Sequence, residues 1–137
     1  MSKLNRLDLA ETYQLMPFEI TTQTIERTLV DKTFALCDYY IEGKVERHSR
    51  HIYDIHKIVE SIGVVDDLAT LIPEVRAVRS EVQVCHSAKP NVCVSEVLHE
   101  IIESHVYRDD YESITSGLLF YEPRTNASFL NYCSSAF

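Results

Sequence analysis

The fold is decided by residues 24–59, TIERTLVDKTFALCDYYIEGKVERHSRHIYDIHKIV, which also hold nearly every side chain suited to chemistry. When residues 24–42 are wound at about 3.6 residues per turn, two adjoining faces are apolar. The first face consists of Ile25, Leu29, Leu36, Tyr39 and Tyr40, and the second of Val30, Phe34, Cys37 and Ile41. The narrow strip left for water carries Arg27, Asp31, Asp38 and Glu42. We therefore predict a central helix that Thr24 caps and that ends at Gly43.

Lys32 falls in the middle of the first apolar face of this helix. Burying an ammonium without a partner is costly, so either its pKa shifts or a counter-charge lies nearby. A lysine can also run its stem along apolar neighbours and keep its ammonium in water. Spacing alone leaves both interpretations open.

A second helix is predicted for residues 44–60, and its two sides differ in chemistry. The buried side is Val45, His48, Ile52, Ile55, His56 and Val59, and the opposite side is Arg47, Arg50, Asp54 and Lys57. Arg50 and Asp54 could simply form an exposed pair four residues apart, which contributes only roughly a few tenths of a kcal/mol. The polar side could also face a nucleotide or a second domain.

Several short motifs resemble the C-terminal half of the AbiEii/AbiGii-type nucleotidyltransferase toxins. They are IERT at 25–28, Lys32, FALCDYY at 34–40 and RHSRHIYDI at 47–55. CHSAK at 85–89 is similar to that family's Cys-Pro-Ser-Ala turn, and DYESIT at 110–115 with Leu118 and Leu119 resembles its penultimate helix. The resemblance covers residues 15–137, and the 22-residue interval between Lys32 and Asp54 also suits the family.

The resemblance implies a role for Lys32 and Asp54, with Arg50 beside them, and the charge pattern adds Arg47. Members of the family have a polymerase-β-like core, and their helical C-terminal half adds a lysine and an aspartate to the active site. Lys32 would contact the nucleoside triphosphate and Asp54 would be the late acidic residue, so both are predicted to be catalytic. Arg47 and Arg50 are predicted to join Lys32 in binding the nucleotide, because the densest basic patch of the chain lies there.

The metal-binding part of such an enzyme is not found in these 137 residues. In the family, the N-terminal half carries a Gly-Ser motif followed by an Asp-x-Asp pair that binds Mg²⁺, and no Asp-x-Asp occurs here. Asp66-Asp67 and Asp109-Asp110 are better interpreted as acids at helix N-termini, which the helix dipole favours. We therefore expect no metal site or cofactor in this chain alone and no activity without an upstream catalytic half. tRNA is a candidate acceptor, and an antitoxin is a candidate partner.

Composition indicates one mainly helical domain. The chain is 45% apolar with only three glycines and four prolines, which suits an irregular bundle of about six helices after a short extended N-terminal segment. We assign residues 1–23 to that segment, as the trailing end of an absent nucleotidyltransferase core, and residues 24–137 to the helical domain. The net charge of −8 does not suit an autonomous nucleic-acid binder.

Cysteine usage and hydropathy predict a reduced cytoplasmic protein. The four cysteines show no Cys-x-x-Cys spacing, and no secretory signal precedes them. A zinc site of Cys85, His86 and Cys93 is disfavoured, because seven residues between the cysteines fit no common structural spacing. No run approaches the roughly 20 apolar residues that span a membrane.

Helix caps and apolar periodicity predict the other segments. Residues 13–22 read as a short strand or extended segment, and a short helix is expected over 64–72, beginning near Asp66. Pro73 would be the first residue of a helix to about residue 84, with Val75, Val78 and Val82 buried. A helix capped by Ser95 would bury Val97, Leu98, Ile101, Ile102, His105 and Val106. A helix from Asp109 or Asp110 to Phe120 would bury Tyr111, Ile114, Leu118 and Leu119, and Thr125 would cap a last one.

Two other functions remain open. Arg50 and His56 match the Arg-x(4–6)-His pattern of the helical HEPN ribonucleases, which cleave RNA without metal. On a helix, however, His56 points with the apolar side and Arg50 away from it. The other function is a non-enzymatic interaction module, which exposed apolar surface would drive to form a homodimer.

Overall fold

The computed structural model describes residues 12–13, 18–63 and 68–118, and most of these are helical. The order is α1 (Ile25–Ile41), α2 (Arg50–Ile62), α3 (Leu68–Ser80), a 3-10 turn (His86–Ala88) and α4 (Val94–Ser104). α5 (Arg108–Asp110), a π-helical turn (Tyr111–Thr115) and α6 (Ser116–Leu118) then follow without a break. No strand occurs in the described ranges, and residues 18–24 are exposed chain that leads into α1. The mainly helical class is confirmed.

α1 is the central element, as its two apolar faces predict. Thr24 accepts a hydrogen bond from the Arg27 backbone N–H at 3.3 Å, and Gly43, with φ +69°, follows the C-cap. α1 packs against α2, α3, the 3-10 turn and α4. Its buried apolar side chains are Leu29, Val30, Phe34, Leu36 and Cys37. The hydrophobic core is therefore wrapped around α1.

The other elements each contribute a few side chains to that core. These are Ile55 from α2, Leu68, Ile72 and Val75 from α3, Cys85 and Ala88 from the loop, and Val94, Leu98 and Ile101 from α4. Tyr107 closes one side, and its hydroxyl donates to the Leu36 carbonyl at 3.2 Å. Burial raises the pKa of this hydroxyl well above its usual range, so it remains a neutral donor.

Asp38 does not face water, which corrects the prediction for the polar strip of α1. The residue is only 6% exposed. Its carboxylate accepts hydrogen bonds at 2.7 Å from the backbone N–H and the hydroxyl of Ser87 and from Arg79 Nη2. Arg79 also pairs with Asp31 at 3.3 Å. A helical wheel could not reveal this, because the partners come from α3 and the 3-10 turn.

α2 begins at Arg50 rather than at Lys44, so residues 44–49 form a connecting turn instead of a first helical turn. Arg47 adopts a left-handed conformation, with φ +65°, which a right-handed helix cannot contain. The Asp110 carboxylate holds this turn by accepting from the backbone N–H of Arg47 at 2.6 Å and of Ser49 at 3.1 Å. Arg47 therefore does not share a helical face with Arg50.

The predictions for α3 need two corrections. Pro73 lies inside a single helix, exposed on its outer side, and does not start a new one. The buried positions are Leu68, Ile72 and Val75, while Val78 and Val82 are exposed. The side of α3 that faces α1 carries Arg79 instead, because Asp38 offers it a buried partner. The predicted start near Asp66 lies outside the described residues.

Smaller differences occur towards the C-terminus. α4 begins at Val94 with Cys93, not Ser95, as its N-cap, and His105 is an exposed left-handed residue at its end, with φ +51°. Leu98 and Ile101 are buried as predicted, whereas Ile114 and Leu118 are exposed. Residues 1–11, 14–17, 64–67 and 119–137, including the predicted last helix, Phe120 and Cys133, lie outside the described ranges.

Replacing the buried carboxylate gives a test of this architecture. We expect Asp38→Asn to lower the free energy of unfolding by about 3 kcal/mol, because the Arg79 guanidinium would lose its charged partner inside the protein. The matched control, Asp31→Asn, touches the same arginine at 3.3 Å from a more exposed position. It should cost less than about 1 kcal/mol. Urea denaturation measures both, and equal losses would contradict the assignment.

Candidate functional site

Lys32 and Asp54 lie together on the surface where α1 and α2 meet. Lys32 Nζ donates to Asp54 Oδ2 at 2.6 Å, and the two side chains are 32% and 38% exposed. Of the two interpretations open for Lys32, the counter-charge is therefore observed. The ammonium also keeps access to water. The structure thus brings the two predicted catalytic residues into contact, while their catalytic role stays a prediction.

The packing of α2 on α1 fixes this pair. Ile55 and His51, four residues apart on α2, are buried and anchor one side of the helix against the core. Asp54 is next to Ile55 and so lies at the edge of that buried side. Lys32 likewise flanks the buried Thr33 on α1. Because both residues sit at the rim of one contact, their head groups meet while remaining partly solvated.

His51 is a site residue that the sequence analysis missed. Its side chain is 9% exposed, and neither ring nitrogen has a hydrogen-bond partner in the described part of the chain. The ring is nearly parallel to that of Tyr39, at 5.4 Å between centroids, and His48 stacks on Tyr39 at 3.6 Å. The only sequence signal for its burial was the spacing of four residues to Ile55, which places both side chains on one face of the helix.

The imidazole of His51 is held neutral. Burial is the main cause, and the neighbouring cations of Lys32 and Arg50 add to it, while the Asp54 carboxylate acts in the opposite direction. Together they lower the pKa of His51 to about 4. At neutral pH the ring therefore carries one N–H donor and one acceptor, both inside the protein.

Arg47 and Arg50, the other predicted nucleotide-binding residues, are both exposed but lie in different backbone elements. Arg50 is the first residue of α2, and Arg47 lies in the preceding turn. Burial disfavours the ionised Asp110, but hydrogen bonds from Ser49 and Arg47 outweigh it and lower the pKa of this carboxyl group. Ser49 is also bound to Thr115, at 2.6 Å between hydroxyl oxygens. The backbone that carries the two arginines is thus fixed by residues about 60 positions later, which spacing could not predict.

Two lysines of the basic patch are paired with glutamates, which the sequence analysis did not predict. Lys44 pairs with Glu42 at 2.7 Å, and Lys57 pairs with Glu60 at 2.8 Å. The hydrogen bond and the charge of each lysine lower the pKa of the corresponding glutamate. Lys32 thus differs from these lysines in taking its partner from another helix.

Three other sequence hypotheses can be compared with the structure. Cys85 is buried and Cys93 exposed, and within the described ranges no three His, Cys, Asp or Glu residues gather where a metal ion could bind. In those same ranges, none of the helices has the length and apolar character needed to cross a bilayer. Arg50 is exposed and His56 half-buried, about 120° apart around α2. The ribonuclease hypothesis is untested by this placement.

The buried neutral His51 predicts a pH dependence of stability. Its pKa is about 4 in the folded protein against 6.5 ordinarily, so the unfolded chain binds a proton more readily. The folded state should therefore lose up to about 3 kcal/mol through this residue as the pH falls from about 6.5 to about 4. The His51→Phe variant should lack this loss when unfolding is followed in urea at several pH values. Exposed His99 is the matched control, and His99→Phe should retain the wild-type dependence.

Comparison with known proteins gives an independent assignment. A family model described as "Nucleotidyl transferase AbiEii toxin, Type IV TA system" matches residues 3–132. No curated protein and no solved structure was found to match. The family match covers nearly the whole sequence, including both helices that carry Lys32 and Asp54. The chain therefore belongs to the AbiEii family of nucleotidyl transferase toxins of type IV toxin–antitoxin systems.

Proposed function

We propose that this chain supplies the helical part of a nucleotidyl transferase active site, in which Lys32 binds the triphosphate of the incoming nucleotide. The observation that carries the proposal is the ion pair between Lys32 and Asp54, at 2.6 Å across two helices. A lysine that needed only a structural partner could have been replaced by an apolar residue at this half-buried position. A partly exposed ammonium, held in place by an acid, suits a substrate that arrives with negative charge.

The chemistry of the pair fits phosphate recognition. An ammonium is a compact point charge that donates to phosphate oxygens, and a triphosphate carries more negative charge than the single Asp54 carboxylate. Asp54 holds the Lys32 ammonium at 2.6 Å before the nucleotide binds. Exposed Arg47 and Arg50 add two further cations close to the N-terminus of α2.

Metal ions must come from elsewhere in the proposed enzyme. Nucleotidyl transfer uses divalent cations held by acidic residues to orient the attacking hydroxyl and neutralise developing charge. The described residues do not form a site for Mg²⁺, and no Asp-x-Asp pair occurs in the 137-residue sequence. We therefore propose that a further polypeptide segment supplies these carboxylates and that this chain alone transfers no nucleotide. tRNA remains the candidate acceptor.

A second candidate function is an interaction module. Family membership in a type IV toxin–antitoxin system implies an antitoxin partner. The favouring observation is the segment before α1, where Phe18 is 82% and Ile20 is 68% exposed. Large exposed apolar side chains are unfavourable in water, and these two would be covered in a complex or a homodimer.

Labelled nucleoside triphosphates, Mg²⁺ and total tRNA test the main proposal, with and without the polypeptide encoded directly upstream. Label transfer is expected only with the upstream polypeptide. Lys32→Ala should lower the rate by about 100-fold or more, because it removes a positioned cation from the transferring phosphates. The matched control is Lys57→Ala, which removes a lysine of similar exposure that pairs with Glu60 within α2. It should retain the wild-type rate.

The same incubation separates the alternatives. Shortening of RNA in EDTA, lost in Arg50→Ala and His56→Ala, would replace the transferase by the metal-independent ribonuclease. Neither activity, together with dimerisation that Phe18→Ser abolishes in size-exclusion chromatography, would support the interaction module.

A further inference from the structure

The imidazole of His51, close to the Lys32–Asp54 pair, has unsatisfied hydrogen-bonding groups. A neutral imidazole always carries one N–H, and leaving it buried without an acceptor costs free energy. The His51 side chain is 91% buried, and neither ring nitrogen has a hydrogen-bond partner within the described residues. Its N–H therefore lacks an acceptor there, whichever nitrogen carries it. Buried groups without partners are rare in folded proteins, and each calls for a physical explanation.

If Lys32 bound a phosphate group, the Asp54 carboxylate would lose its hydrogen-bond donor. In the structure its carboxylate is neutralised by Lys32 at 2.6 Å. If the ammonium turned to a triphosphate, this half-buried carboxylate would lose its partner and face a highly charged anion. A donor close to Asp54 would then be needed to keep the carboxylate in place.

The geometry of α2 places His51 to meet that need. His51 and Asp54 are three residues apart, so their side chains project from neighbouring points of one helix face, about 5–6 Å apart at Cβ. The ring is also close enough to Lys32 and Asp54 for both charges to act on its pKa. Because it is neutral, the imidazole can donate to the carboxylate without competing with Lys32 for the phosphate.

We propose that His51 is a positioning residue that donates its ring N–H to the Asp54 carboxylate when Lys32 leaves Asp54 for a phosphate group. This inference rests on the proposed function of Lys32. It makes the site two-state: in the free protein the ammonium holds the carboxylate, and in the complex the imidazole does. The stack with Tyr39, at 5.4 Å and 15° between planes, limits the movement of the ring between the two states.

The exchange of partners can be tested without any nucleotide. Lys32→Met removes the ammonium permanently, so Asp54 should accept from His51 in the free 137-residue chain. In the ¹⁵N-labelled variant, exchange of the His51 ring N–H with water should slow by about tenfold relative to Lys32→Met/Asp54→Ala, because hydrogen bonds to a charged acceptor are strong. Exposed His99, which contacts the Ser95 carbonyl at 2.9 Å, is the internal control and should be the same in both variants.

Each outcome has a defined meaning. Backbone amide spectra establish that the variants are folded, and Lys32→Gln serves as a second substitution if Lys32→Met is not. A folded Lys32→Met or Lys32→Gln chain whose His51 ring N–H exchanges as fast as in the double variant overturns the inference.

A second arm separates this inference from the function on which it rests. Inorganic triphosphate added to the wild-type chain should produce the same protected His51 signal, and His51→Phe should weaken triphosphate binding by about tenfold. If the variants show the protected signal but triphosphate binds equally well to wild type and Lys32→Ala, the exchange of partners stands and the proposed function fails. If Lys32→Ala abolishes triphosphate binding while His51→Phe does not alter it, the proposed function stands and the exchange of partners fails.

Discussion

The buried carboxylate of Asp38 is the interaction on which the rest of the structure depends. It is almost completely removed from water and accepts three hydrogen bonds of 2.7 Å from Ser87 and Arg79. A carboxylate in this environment is tolerable only with such partners, so the network favours the observed arrangement of α1, α3 and the 3-10 turn. The guanidinium groups of Arg79 and Arg76 also lie over the Phe34 ring, at 5.8 and 5.5 Å from its centroid.

This constraint determines which side of α1 is left for α2. Lys32 precedes Asp38 by six residues, so it projects about 120° away around the helix. Fixing Asp38 towards α3 therefore turns Lys32 towards the surface that α2 covers. Ile55 and His51 then bury their side chains against α1, and Asp54 reaches the ammonium. The geometry of the candidate site follows from a buried network on the other side of the same helix.

Sequence reasoning was effective where local periodicity decides the outcome. The bounds of α1 are confirmed, and most of its predicted apolar positions are buried, whereas Ile25 and Ile41 at its ends are exposed. Lys32 and Asp54 lie in contact, although their catalytic role stays a prediction. It was ineffective where the deciding partner is distant in sequence. The Asp110 carboxylate accepts from the Arg47 backbone, and the Ser87 backbone donates to Asp38. A helical wheel cannot predict contacts between residues this far apart in the sequence. For the same reason α2 was predicted six residues too long at its start.

The two acid–base clusters differ in exposure, and exposure determines what each can do. Removing one partner of a buried network such as that of Asp38 costs several kcal/mol, about 3 or more, so its geometry is permanent. The Lys32–Asp54 pair is about one-third exposed, and pairs of this kind contribute roughly 0–1 kcal/mol. A polyanion can offset so small a loss with a single charge-assisted hydrogen bond. The weak pair is therefore the one that substrate can open, while the strong network continues to hold α1 against α3 and the 3-10 turn.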